Sequence, residues 1–143
     1  MRLFPSSEQT RAERLSRLDR FAGLTAKDVR RIVKAASTAQ LSDGDVLVEE
    51  GTLGGSAYVV LSGELEVTQG GEVIGRMRPG DLVGEIGLVA APRRSATVTA
   101  LVDCELLELP GEVARELYEE LPALQEALWE VAEKRLTRDR HTE

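Results

Sequence analysis

Apolar positions fall on two different periods along this chain. Leu15, Leu18 and Phe21 recur at helical spacing with Arg and Glu between them, which predicts an amphipathic helix over about 8–20. Ser6 with Gln9 three residues on has the form of a capping box, and Gly23 breaks the run. Thr25 with Asp28 repeats the cap ahead of Val29, Ile32, Val33 and Ala36, a second short amphipathic helix. Both helices are expected to pack on a sheet. From Gln40 the rhythm shortens. Turn signals come at Asp43-Gly44, Gly54-Gly55, Ser62-Gly63, Gly70-Gly71 and Pro79-Gly80. Between them lie Val46-Leu47-Val48, Tyr58-Val59-Val60-Leu61, Leu65-Glu66-Val67 and Val73-Ile74, and beyond them 96–101 and 104–109 read as two more strands. Turns every ten residues or so, with short strands between, predict an antiparallel sandwich or barrel. Gly70-Gly71 is the sharpest hairpin signal, because a two-residue type I′ turn needs positive φ at both positions. Pro110-Gly111 ends the last strand. A short helix is expected over 112–121. Pro122 then opens another, with Leu124, Leu128, Val131, Ala132 and Leu136 as its apolar stripe and Trp129 on its flank. The polar end, Thr137 to Glu143, is expected to fray.

Composition narrows the function classes. With 143 residues, 42% of them hydrophobic and 30% charged, the chain is expected to form one globular domain. Its parts are a helical segment (1–38), a β region (39–109) and C-terminal helices (110–143). Lys and Arg number 18 against 25 Asp and Glu, a net charge of −7. That argues against a nonspecific nucleic-acid surface but leaves room for a locally basic pocket. Cys104 is the lone cysteine and His141 the lone histidine, so a His-based triad, a multi-His metal site or a zinc cluster is not expected, and neither is an enzyme. No apolar run is long enough to span a membrane and no signal-peptide core opens the chain, so the expected place is the cytoplasm. Cys104 reads as a buried, inert thiol.

The stretch 84–98 carries the chemistry. Gly84 follows the turn at Pro79-Gly80. Glu85, a short apolar run and then Arg93-Arg94-Ser95-Ala96-Thr97-Val98 follow it. A glycine leading into a short helix offers backbone N–H groups to an anion. An arginine a few residues on offers a fork shaped for a phosphate. Glu85 can only accept hydrogen bonds when ionised, which suits a sugar hydroxyl rather than a phosphate. Together these features suggest a nucleotide.

Gly84-Glu85-Ile86-Gly87-Leu88 followed by Arg94-Ser95-Ala96-Thr97-Val98 resembles the phosphate-binding cassette of cyclic-nucleotide-binding domains. These occur in regulatory subunits of cyclic-AMP-dependent kinase, cyclic-nucleotide-gated channels and catabolite activator proteins. Val83 departs from the family pattern, which often has an aromatic residue there. The resemblance implies a mostly β fold with flanking helices: an eight-stranded antiparallel, jelly-roll-like β-roll with helices at its N- and C-terminal ends. It implies that Glu85 binds the ribose 2′-hydroxyl and that Arg94 binds the cyclic phosphate, together with the backbone of Ile86 to Leu88. Gly84 and Gly87 let the backbone approach, and Ser95 touches the ligand. Val67, Ile74 and Met77 line the base, with Val67 the one read more readily as core, and Arg135 on the last helix covers the base's other face. Arg93, adjacent to Arg94, should point away from the ligand into solvent or toward a partner.

The implied function is a sensor of cyclic AMP, or of cyclic GMP, that signals through movement of its C-terminal helix. The competing reading is a β-roll dimerisation or interaction module with a silent pocket. Implied partners besides the nucleotide are a second copy, through the last helix, or an effector protein. A DNA-binding domain of the kind such transcription factors carry is not expected within these 143 residues.

Overall fold

The computed structural model describes residues 8–84 and 93–126. The helical pattern at the start yields α1, Glu8–Ser16, then a 3-10 turn, Asp19–Phe21, then α2, Ala26–Ala35. The expected single helix to residue 20 therefore stops four residues early. The apolar repeat continues through the break because Leu18 and Phe21 pack on the same core from the tighter turn. The Thr25 hydroxyl accepts from the Asp28 N–H at 3.1 Å, which is the predicted cap.

Eight strands follow: β1 Ser37–Leu41, β2 Val46–Val48, β3 Ser56–Ser62, β4 Leu65–Gln69, β5 Glu72–Met77, β6 Leu82–Val83, β7 Thr97–Ala100 and β8 Cys104–Pro110. They form two four-stranded antiparallel sheets rather than a closed barrel, in the orders β1-β8-β3-β6 and β2-β7-β4-β5. The hairpin between β4 and β5 turns at Gly70 and Gly71 with φ of +59° and +84°, as the type I′ reading requires. Strands β1 and β6 escaped the sequence pattern. β1, Ser-Thr-Ala-Gln-Leu, has no fully buried residue, and β6 is two residues long.

Alternation along β3 and β8 divides the interior in two. Ala57, Val59 and Leu61 of β3, with Leu107 and Leu109 of β8, face a layer made by Leu15, Phe21, Val29, Ile32 and Val33 and by α3, Gly111–Glu120. Val60, Cys104 and Leu106 face the other way, between the sheets, with Leu65, Val67, Val83, Val98 and Ala100. Val83 thus fills the roll interior as a small aliphatic residue. Residues 122–126 are helical, beginning at Pro122 as predicted, and Leu121 and Leu124 are buried in the helical layer. The rest of the apolar stripe, Leu128 to Leu136 with Trp129, lies outside the described residues.

Cys104 is buried beside Gly63, and its thiol faces the carbonyls of Val102 at 3.1 Å and Glu64 at 3.5 Å. Burial raises its pKa above the ordinary thiol value, which keeps it protonated and inert, as expected.

Candidate anion site at the end of the roll

Arg94 enters β7 from a short ladder with the loop before β3. The Arg94 N–H donates to the Thr52 carbonyl at 2.7 Å, and the Gly51 N–H donates to the Arg94 carbonyl at 2.9 Å. Arg93 and Leu53 form the adjoining antiparallel bridge. This pairing fixes the backbone on which the guanidinium is carried, so main-chain bonds position the arginine.

The guanidinium folds in toward the roll. Nη2 donates to the Ser56 carbonyl at 2.7 Å, and the side chain is half-buried. Two glycines make space for it. A Cβ at Gly54 would stand 2.8 Å from Arg94 Nε and 2.9 Å from Cζ, and one at Gly84 would stand 3.0 Å from Nη1. Gly84 also takes a φ of +102°, a conformation that side-chain-bearing residues rarely adopt. Among the described residues the Ser56 carbonyl is the one acceptor that the guanidinium reaches, which leaves donors of the fork for an anion.

Arg93 behaves differently, as its position predicted. It is exposed, and its Nη1 donates to the Gly51 carbonyl at 2.8 Å, so it braces the loop. Ser95 is exposed, and its carbonyl accepts from Gln69 Nε2 at 3.0 Å. Glu85, Ile86, Gly87 and Leu88 of the expected cassette, and Arg135 of the expected last helix, lie outside the described residues.

The expected apolar wall is brought together. Val67 is 8% exposed and belongs to the inter-sheet core, against which Ile74 and Met77 pack half-buried. Three residues apart on a regular strand, Ile74 and Met77 would face opposite sides. A register shift between Val67↔Gly75 and Thr68↔Val73 inserts Ile74 as an extra residue in β5 and turns both toward the same interior.

Sequence reasoning missed four contributors. The Ser56 carbonyl is a backbone group and carries no residue-type signal. Gly54 was legible only as a turn, although glycine pairs also mark close approach. Tyr58 and Glu108 lie opposite each other in the β3–β8 register, on the inter-sheet face, with the phenol hydroxyl donating to Glu108 Oε2 at 3.4 Å. Burial first, and then the Glu108 carboxylate, raises the Tyr58 pKa, while Arg94 opposes the rise.

Among the described residues no group of three or more His, Cys, Asp or Glu could hold a metal ion, and no helix is long and apolar enough to cross a membrane.

Comparison with known proteins places this geometry. Residues 38–120 match the family model described as the cyclic nucleotide-binding domain. A cGMP-dependent protein kinase of Caenorhabditis elegans is 31% identical over 90 residues, covering 63% of this chain and 12% of its own length. The catabolite activator protein of Thermus thermophilus superposes with a TM-score of 0.74 at 28% identity, covering 86% of this chain and 60% of that one. The fold of cAMP-bound PfPKA-R gives a TM-score of 0.83 at 18% identity, over 94% of this chain and 47% of that one. The chain spans about a third or less of the length of the curated relatives it matches.

Proposed function

The chain belongs to the cyclic nucleotide-binding domain family, and from that premise we propose that it is a cytoplasmic sensor of cyclic AMP. Its phosphate site is Arg94 with the backbone of Ile86 to Leu88. The observation that carries this reading is the presentation of Arg94: half-buried, pinned by its backbone to Thr52, flanked by two glycines and holding donors open. A structural arginine would more often meet a carboxylate.

Glu85 takes the ribose 2′-hydroxyl, with Gly84 and Gly87 giving the backbone its close approach. Val67, Ile74 and Met77 face one side of the base, with Ser95 at its edge and Arg135 over the other face. The apolar character of that wall favours adenine over guanine, whose N1–H, N2 amino and O6 would need partners to leave water without cost. Ser95 carries a hydroxyl that could serve guanine, so cyclic GMP is the second candidate. Leu121 and Leu124 anchor the start of the C-terminal helical segment in the core. The signal is a shift in the population of the segment beyond them, which requires that the closed state bind the nucleotide more tightly. The receiver is a partner protein, a second copy or a neighbouring domain, and no catalytic step is assigned to the chain.

Thermal unfolding with cyclic AMP, cyclic GMP and 5′-AMP tests this reading. A ligand at a hundredfold excess over its Kd adds ~2.7 kcal/mol, a shift of several degrees for a domain of this size. A shift with cyclic AMP beyond that with cyclic GMP supports the sensor and its base. Silence with every nucleotide would leave a β-roll interaction module with an inert pocket. The ribose role has its own test: Glu85→Gln should weaken cyclic AMP more than 2′-deoxy cyclic AMP, and equal losses would refute it.

A further inference from the structure

The inter-sheet face of a roll is an apolar place, yet Glu108 points into it at the end where Arg94 lies. Alternation along β8 sends Cys104 and Leu106 inward, and Glu108 follows in the same row. Its cross-strand partner Tyr58 stands one pleat from Ser56 on β3, and the Ser56 carbonyl holds the Arg94 guanidinium. Tyr58 thus neighbours both charges: its hydroxyl bonds the Glu108 carboxylate, and the Arg94 guanidinium lies close enough for its field to act on the phenol. Glu108 is half-buried, and among the described residues no Lys or Arg lies within ion-pair distance of it. The Tyr58 hydroxyl is its hydrogen-bond partner there.

A half-buried carboxylate behind an anion site acts on the charge of whatever binds. A cyclic phosphodiester carries one negative charge, which Arg94 matches. A phosphomonoester such as 5′-AMP carries close to two at neutral pH, since its second proton leaves near pH 6. The second charge meets the field of Glu108, partly screened by water.

We propose that Glu108, held by Tyr58 behind Arg94, is a specificity-determining residue that rejects dianionic phosphomonoesters in favour of the monoanionic cyclic phosphate. The proposal deepens the reading of Arg94 as the phosphate ligand and rests on it. Glu108 touches neither phosphate nor ribose in this scheme. It sets the charge that the pocket tolerates.

At an effective dielectric between water and protein, one charge acting on another roughly 8 Å away changes binding roughly three- to tenfold. Each charge added to the ligand is penalised in turn, so the dianion suffers about twice the penalty of the monoanion. The experiment is calorimetric titration of cyclic AMP and 5′-AMP into the parent, Glu108→Gln and Glu108→Asp at neutral pH. Glu108→Gln should tighten 5′-AMP roughly three- to tenfold more than it tightens cyclic AMP, narrowing the ratio of the two Kd values. Glu108→Asp keeps the charge and should keep the parent's ratio.

An unchanged ratio in Glu108→Gln, or one that narrows equally in Glu108→Asp, overturns the proposal while leaving the Arg94 site standing. Failure of the parent to bind cyclic AMP overturns the site and the proposal together. Should Glu108→Gln fold poorly, Tyr58→Phe provides the second measure. It removes the hydroxyl that holds the carboxylate and should also change the ratio, whereas an unaltered ratio in that variant counts against the proposal.

Discussion

Arg94 Nη2 lies 2.7 Å from the carbonyl oxygen of Ser56, so the side chain assigned to the phosphate is held by the main chain of the roll's central strand pair. A carbonyl holds a guanidinium without neutralising it, and the positive charge stays available to an anion. Replacing Arg94 by Leu should therefore weaken cyclic AMP by ten- to a hundredfold or more, the equivalent of a charge-assisted hydrogen bond of ~1.5–3 kcal/mol. The far-ultraviolet circular dichroism should stay that of the parent, because the side chain is half-buried outside the two cores. A variant that binds as the parent does would remove Arg94 from the site.

Gly54 and Gly84 flank the same guanidinium with opposite consequences for the fold. At Gly54 the atoms a Cβ would meet first all belong to the Arg94 side chain, the nearest being Nε at 2.8 Å. Gly54→Ala should leave the melting temperature near the parent's while displacing Arg94 and weakening cyclic AMP roughly tenfold. At Gly84 the φ is +102°, and the Cβ would also stand 3.0 Å from the Ser56 carbonyl and 3.3 Å from Ala57 Cα. Gly84→Ala should lose about 1–3 kcal/mol of stability as well as affinity. Parallel denaturant melts and titrations of the two variants separate these outcomes.

Arg14 of α1 pairs with Glu105 of β8, a carboxylate that is 6% exposed and is also reached by Gln40 Nε2 at 3.4 Å. The pair ties the first helix to the sheet beneath it. Arg14→Met takes one cationic partner from a buried carboxylate and should cost up to ~3 kcal/mol, since a buried charge loses part of what offsets its desolvation. Glu105→Gln in the same background should recover part of the loss, measured by the midpoint of urea unfolding.

Cys104 and Tyr58 both have pKa values raised by burial, from ordinary values of 9.0 and 10.0. Above pH 9 the unfolded chain releases the thiol proton before the folded protein does. The folded state then binds more protons, and stability falls as pH rises. Stability from these groups should be intact below pH 9 and decline above it. Cys104→Ala should move the onset of that decline toward pH 10, where Tyr58 begins to titrate in the unfolded chain. Chemical denaturation from pH 7 to 11 reads this, and an identical alkaline limb in parent and variant would exclude the thiol.

Much of the architecture was legible in the residues themselves. The period-3.6 repeat of Val29, Ile32 and Val33, the Thr25 cap and the Gly70-Gly71 turn are local features, decided by side-chain spacing and backbone sterics within a few residues. So was membership of the cyclic nucleotide-binding domain family, because a cassette of fifteen residues keeps its residue types in sequence order. What local pattern could not decide was everything set across the sheets. β1 carries no buried alternation to announce it and forms only because β8 offers it hydrogen bonds along five residue pairs. Ile74 and Met77 share a face only because a bulge against β4 resets the parity of β5. The Ser56 carbonyl that seats Arg94, and the Glu108 carboxylate that Tyr58 holds behind it, lie 38 and 50 residues from their partners. Chain spacing determines which groups exist and which face of an element each takes. Register and packing between distant elements determine which groups meet, and here that decided the charge environment of the arginine.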